Sequence, residues 1–261
     1  MIKFQNVAYS YDKTTFIENI NIDFDRGKIT TLIGPNGCGK STLLKLGARI
    51  LEPQKGKVLF CDTDIKTLKP KEYAQRVAVL LQSNYPPGIT VENYVLSGRY
   101  PHVAFLNSFS KQDRDIAWHA MDVTGCQAFW NKNVNQLSGG ERQKVFIAMA
   151  IAQDTEVILL DEPTTHMDIN VSYEIMELVL QLNKDMGKTI IMVLHDLNMA
   201  FNYSHKMILM DDGKIIAQNK PEAMAASLEL EEVMYVKTRQ FSAEGNAYYC
   251  FDKKNGVENK A

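Results

Sequence analysis

Residues 34–41 read Gly-Pro-Asn-Gly-Cys-Gly-Lys-Ser. This is G-x-x-x-x-G-K-[ST] in full, a phosphate-binding loop. An Arg26-Gly27 turn and the apolar run Ile29–Ile33 precede it, and after Lys40 the apolar spacing turns helical, with Leu43, Leu44, Leu46 and Ile50. A strand that runs into a glycine loop and out through a helix is the setting such a loop needs. Backbone N–H groups line the loop, and only glycine tolerates the curvature that turns them inward on phosphate. In this reading Gly34, Pro35, Asn36, Gly37, Cys38 and Gly39 form the cradle. Lys40 reaches the β and γ phosphates, Ser41 offers a hydroxyl to Mg²⁺, and Thr42 follows in the helix whose positive end faces the anion.

Two further segments belong to the same chemistry. Val157-Ile-Leu-Leu is a buried strand that ends in Asp161-Glu162, at the strand end where open α/β sheets bind ligands. Asp161 is placed to hold Mg²⁺ and Glu162 to polarise an attacking water. Leu137-Ser138-Gly139-Gly140-Glu141 opens a second helix, with Val145, Phe146, Ala148 and Met149 at helical spacing. Ser138 can cap that helix, and the glycines leave its first amides bare, which makes a second anion site. Taken alone, this second motif reads better as a simple capped helix.

The remaining pattern supports a parallel sheet with helices on both faces. Ile2, Phe4 and Val7, then Ile20, Ile22 and Phe24, alternate as half-buried strands; Lys57–Phe60, Val77–Leu81 and Thr189–Leu194 add more. Ser83–Gly88 is a loop, and Val91 to about Ala152 is mostly helical. Ile175, Leu178, Val179 and Leu182 share one helix face, and Met207–Met210, Asp211-Asp212-Gly213 and Lys214–Ala217 form a hairpin. Met192, Met199, Met207 and Met210 are expected in the core. The end of the chain holds short helical patterns and one aromatic strand, Ala247–Phe251, and no chemical motif. The net charge is −2, which gives no basis for a nucleic-acid partner, and the four scattered cysteines form neither a disulfide framework nor a zinc site. No run reaches the ~18 apolar residues that span a bilayer. His102, His119 and His205 receive no role. Cys38, near a helix start, could have a lowered thiol pKa, but a small neutral filler is the simpler reading.

In order, Gly34–Ser41, Gln82, Leu137–Glu141, Asp161-Glu162 and His195 resemble the ATP-binding cassette (ABC) ATPases, over about residues 1–220. The resemblance implies an α/β P-loop fold with a mixed sheet, antiparallel N-terminal strands and an inserted helical subdomain. Residues 1–84 and 153–220 would form the catalytic core, 85–152 the helical subdomain and 221–261 a C-terminal extension of one ATPase domain, 1–261. It implies ATP and Mg²⁺ as cofactors, and it implies roles residue by residue. Tyr11 would stack on adenine. Gln82 would sense Mg²⁺ and the attacking water. Ser138, Gly139 and Gly140 would contact the γ-phosphate held by a second copy. Thr165-His166-Met167-Asp168 would be the D-loop, with Met167 in place of the more usual Leu, and His195 would touch the γ-phosphate. Gly98-Arg99-Tyr100-Pro101-His102, Glu162–Ile169 and Leu194–Asn198 are similar to importers of iron chelates, haem and cobalamin. The resemblance therefore implies a homodimer at the cytoplasmic face of the membrane, docked on permease subunits through the helical insertion and the 83–100 segment. An extracellular or periplasmic substrate-binding protein would be an indirect partner. The alternative is a soluble ABC ATPase acting in cytosolic assembly, of the iron–sulfur cluster type. The catalytic motifs themselves are shared by importers and exporters.

Overall fold

The computed structural model describes residues 1–12, 16–82, 88–104, 107–243 and 246–254. In chain order the elements begin with β1 (Ile2–Tyr9), β2 (Ile17–Phe24), β3 (Ile29–Ile33), α1 (Lys40–Gly47), β4 (Lys55–Phe60) and β5 (Thr63–Asp64). Next come α2 (Pro70–Ala74), β6 (Val77–Leu80), α3 (Val91–Ser97), α4 (Lys111–Val123), α5 (Gly139–Ala152), β7 (Val157–Asp161) and α6 (Ile169–Lys184). The chain continues through β8 (Thr189–Val193), α7 (Leu197–Tyr203), β9 (Lys206–Asp211) and β10 (Lys214–Asn219). It closes with α8 (Pro221–Ala225), α9 (Leu228–Val233), β11 (Val236–Ala243) and β12 (Asn246–Lys253). These elements form two compact units, Met1–Asp64 with Ile191–Ala261, and Ile65–Ile190.

The first unit contains an antiparallel sheet in the order β2-β1-β4-β5. The inward set Ile2, Phe4, Val7, Ile20, Ile22 and Phe24 is buried, as period-2 alternation requires. A second group of strands places β3 parallel to β9, and β9 antiparallel to β10. All five residues of β3 are buried, the mark of a strand covered on both faces. Asp212 and Gly213 turn the β9–β10 hairpin with φ of 41° and 71°, and the positive pair matches the twist of the strands it joins. The helix after the glycine loop is shorter than its apolar spacing predicts. It stops at Gly47, Arg49 takes φ 59°, and Ile50 lies outside it, 49% exposed. Met192, Met199, Met207 and Met210 are core residues.

A strand invisible to pattern reading completes this unit. β11 pairs with β12 residue for residue from Val236↔Lys253 to Ala243↔Asn246. Its sequence, Val-Lys-Thr-Arg-Gln-Phe-Ser-Ala, has no apolar face, so only its pairing reveals it.

In the second unit β6 and β7 run parallel in register, Val77 opposite Val157 through Leu80 opposite Leu160. The helices α3, α4 and α5 pack on one another. Thr90 caps α3, and Ser110 and Asp113 form a reciprocal box at the start of α4. Gly98 admits no side chain, because a Cβ there would lie 2.4 Å from the Met149 carbonyl oxygen. Arg99 is buried and donates Nε to Asp113 Oδ1 at 3.0 Å and a terminal NH₂ to the Ala152 carbonyl at 2.8 Å. His102 Nε2 lies 2.8 Å from the Gln153 carbonyl. The Gly98–His102 segment thus latches the end of α3 onto the end of α5. α6 starts at its cap, Asp168, and buries Ile175, Leu178, Val179 and Leu182, the predicted face. Of the predicted loop Ser83–Gly88, residues 83–87 lie outside the described residues.

Candidate active site

In the first unit, β3 delivers the chain to Gly34 with φ 146°, and Gly37 and Gly39 follow at 80° and 106°. A Cβ on Gly34 would sit 2.1 Å from the Met210 carbonyl oxygen and 2.9 Å from Cys38 Sγ. The loop is pressed against β9, so its first position must be glycine. Gly39 caps α1 in the left-handed conformation without a side-chain acceptor. The start of α1 turns its partial positive charge toward the loop, where an anion would lie. Lys40 is buried, and its Nζ donates to the Gly34 and Pro35 carbonyls at 2.8 and 2.7 Å. Those bonds draw the loop around the ammonium. Asn36 and Gly37 form the exposed crest, and Cys38 is buried beneath. Burial pushes the Cys38 thiol up, against the smaller lowering effect of the Lys40 charge. The helix start therefore does not activate this cysteine.

Tyr11 shares a 3.0 Å hydrogen bond with Thr42 through its hydroxyl, and its ring meets Tyr9 and Phe16 edge-on with centroids 5.0 and 5.6 Å away. The ring is nonetheless 54% exposed, a flat aromatic face tied to the loop helix. His195 is exposed immediately after β8 and Leu194, and Asp196 next to it caps α7 by accepting from the Met199 N–H at 3.1 Å.

In the second unit, β7 ends on buried Asp161. Glu162 then takes φ 54°, an uncommon conformation for a non-glycine residue and a frequent mark of functional turns. Its Oε2 accepts from Gln82 Nε2 at 2.5 Å and from Thr165 Oγ1 at 2.9 Å. The fold thus brings together two candidate residues 80 positions apart, Gln82 and Glu162. Thr165, which the sequence placed only in the D-loop, fixes the carboxylate; the sole signal for that role is a hydroxyl three residues after an acid.

The Ser138 helix start is a complete capping box. Ser138 Oγ accepts from the Glu141 N–H at 3.3 Å, and Glu141 Oε2 accepts from the Ser138 N–H at 2.9 Å. The Ser138 N–H, with the Ser138 hydroxyl donating to the same Oε2 at 2.8 Å, holds the Glu141 carboxyl below its ordinary range. The box uses the amides of residues 138 and 141 and leaves those of Gly139 and Gly140, the first two helical positions, without an intrahelical acceptor. A Cβ on Gly140 would approach Val171 Cγ1 to 2.6 Å, so glycine is what lets the starts of α5 and α6 meet. A hollow of about 300 Å³ lies there, lined by Ser138, Gly139, Gly140, His166, Met167 and Asp168 among others.

The donor set suits a nucleoside triphosphate with Mg²⁺. The first unit supplies glycine-lined amides and a lysine, and the candidate metal donors Ser41, Gln82 and Asp161 all offer hard oxygen. Among the described residues no cluster of three or more His, Cys, Asp or Glu side chains could hold a metal ion alone.

The comparisons agree with this chemistry. The family model described as ABC transporter matches residues 17–165, more than half of the chain. The petrobactin import ATP-binding protein FpuD of Bacillus anthracis is 42% identical over 219 residues, 84% of this chain and 80% of that protein. The ferric enterobactin transport ATP-binding protein FepC of Escherichia coli K12 is 40% identical over 230 residues, 88% of this chain and 85% of that one. Among solved structures, the cassette MJ0796, a dimer in a post-hydrolysis state bound to ADP and Pi, superposes with a TM-score of 0.73 at 28% identity, covering 85% of this chain and 99% of that one. Cradle, carboxylates and capped glycine helix, together with these relatives, establish that the chain belongs to the ABC transporter family, as an ATP-hydrolysing, ATP-binding subunit.

Proposed function

We propose that this ATPase is the energy-coupling subunit of an importer for iron–siderophore complexes, haem or a related metal chelate. It acts as a homodimer, peripheral at the cytoplasmic face of the membrane. Its partners are integral-membrane permease subunits and, through them, an extracellular or periplasmic substrate-binding protein. The observation that carries the cargo class is the identity of 40–42% with ATP-binding proteins named for siderophore import, over more than four fifths of the chain.

The working cycle follows from two anion sites on one chain. Each ATP is held by the P-loop of one copy and by the Gly139 and Gly140 amides of the other. Both helix starts carry roughly half a positive charge, so they repel each other until the polyphosphate lies between them. ATP closes the dimer, and cleavage loosens it. Lys40 exchanges its loop carbonyls for phosphate oxygens, and Tyr11 presents its exposed ring to adenine. Glu162, oriented by Gln82 and Thr165, receives the proton of the attacking water, and His195 contacts the γ-phosphate. Ser41, Gln82 and Asp161 are the donors assigned to Mg²⁺, which when bound would neutralise charge developing on the phosphates. Dimer closure then moves the permease.

The test is purification of the tagged chain carrying Glu162→Gln from membranes, together with uptake of radio-iron chelate in cells whose only copy carries Lys40→Ala. Co-purification of a polytopic permease and loss of uptake are expected. A complex with cytosolic proteins alone, and unimpaired uptake, would favour the assembly-factor alternative.

A further inference from the structure

The C-terminal hairpin reaches the catalytic machinery through one short helix. α7 follows directly on His195 and Asp196 and is only seven residues long. A helix of that length has no stability of its own and must be held by packing. Its far end is pinned to β3: the Ile29 N–H donates to His205 Nδ1 at 3.1 Å, the His205 N–H donates to the Ile29 carbonyl at 2.9 Å, and Thr31 and Ser204 share a hydroxyl–hydroxyl bond. Its middle is held from another direction. Phe201, 3% exposed, has ring centroids 4.7 Å from Tyr249 and 5.2 Å from Phe251, both tilted by about 45°. Tyr249 and Phe251 are two apart on β12, so they share the face turned to α7, and Tyr248 and Cys250 on the other face are exposed.

The hairpin that carries this clasp is itself anchored. Glu231 in α9 accepts from the Thr238 N–H at 3.1 Å, Arg239 pairs with Asp252 across the strands at 2.8 Å, and the Lys254 N–H returns to the Tyr235 carbonyl at 3.1 Å. Leu230 and Met224, at its base, are fully buried. The aromatic pair therefore sits on a fixed support.

We propose that Tyr249 and Phe251 are positioning residues for His195: they clasp Phe201, hold α7, and so hold the backbone that presents the imidazole. The inference rests on the role given to His195 under the proposed function. It assigns the end of the chain, which carries no chemical motif of its own, to the ATPase reaction. The aromatic pair packs on the middle of α7, while the separate bonds from Ser204 and His205 hold β3, so the clasp governs turnover and not nucleotide affinity.

The experiment is ATP hydrolysis and nucleotide binding by the purified full chain, with histidine-labelled NMR of the imidazoles. Tyr249→Ala/Phe251→Ala should lower kcat by about tenfold or more with nucleotide affinity within about twofold, a split that loss of fold would not produce. The His195 imidazole signal, assigned by its loss in His195→Ala, should shift or broaden while those of His119 and His166 stay. Tyr249→Phe, which keeps the ring, should restore the rate. Added to His195→Ala, the double truncation should change nothing further. An undiminished kcat with an unmoved His195 signal overturns the proposal alone. An equal loss in the His195→Ala background overturns it as well, because the clasp would then act elsewhere. Full hydrolysis by His195→Ala overturns the role of His195 and the proposal with it. If the double truncation does not fold, Phe251→Leu carries the same comparisons.

Discussion

Two residues of the glycine loop show how local chemistry is settled by neighbours. Lys40 bonds two loop carbonyls, so Lys40→Ala removes a charge and also takes the ammonium donor from Gly34 and from Pro35, which keeps a 3.4 Å bond from the Cys38 N–H. We expect ATP affinity to fall by about 2 kcal/mol, tens-fold in Kd, measured by calorimetry; unchanged affinity would contradict the cradle. Cys38 stands beside a helix start and a lysine, features that favour a thiolate, yet burial prevails and its pKa is raised. A raised pKa means less thiolate at a given pH, so Cys38 should alkylate after the exposed Cys61 and Cys250 near neutrality, and the gap should narrow as pH rises. Peptide mapping after timed iodoacetamide labelling reads the order, and early modification of Cys38 would refute it.

Among the elements, α4 offers the cleanest pH test. Hydrogen bonds from Ser110, together with the Arg99 guanidinium, hold the Asp113 carboxyl below its ordinary range. A depressed carboxyl stabilises the fold fully above its unfolded pKa of ~4 and loses that contribution as pH falls through the folded value. Asp113→Asn leaves nearly buried Arg99 without its counter-charge and should cost about 3 kcal/mol at neutral pH. The difference in Tm from the natural protein should hold from pH 8 to about 5 and close in more acidic solution. A gap that persists unchanged at pH 3 would show that the capping box works without ionisation. α7 teaches the complementary lesson: its apolar residues are plain in the sequence, but Tyr249 and Phe251, some fifty positions on, become its neighbours only through β12.

For the whole molecule the decisive observable is association. Glu162→Gln keeps a side chain that can accept from Gln82 and Thr165 but cannot take a proton from water. It should bind ATP normally, hydrolyse it about 10²–10⁴-fold more slowly, and elute at twice the monomer mass with ATP and Mg²⁺. A purely monomeric profile would sink the two-copy cycle. The chemistry of this chain was legible in its residue order, because phosphate binding needs glycines, a lysine and a strand–loop–helix context that are local in sequence. Periodicity likewise placed the buried faces of β1, β2 and α6, and an apolar run placed the fully buried β3. Tertiary structure alone decided the rest: that Arg49 ends α1 before Ile50, that Thr165 and Gln82 share one carboxylate oxygen, that Gly98–His102 latches two helices, and that an unpatterned segment pairs as β11. Those outcomes depend on contacts between residues far apart in the chain. A sequence declares what each residue can do, and only packing selects which partner it meets.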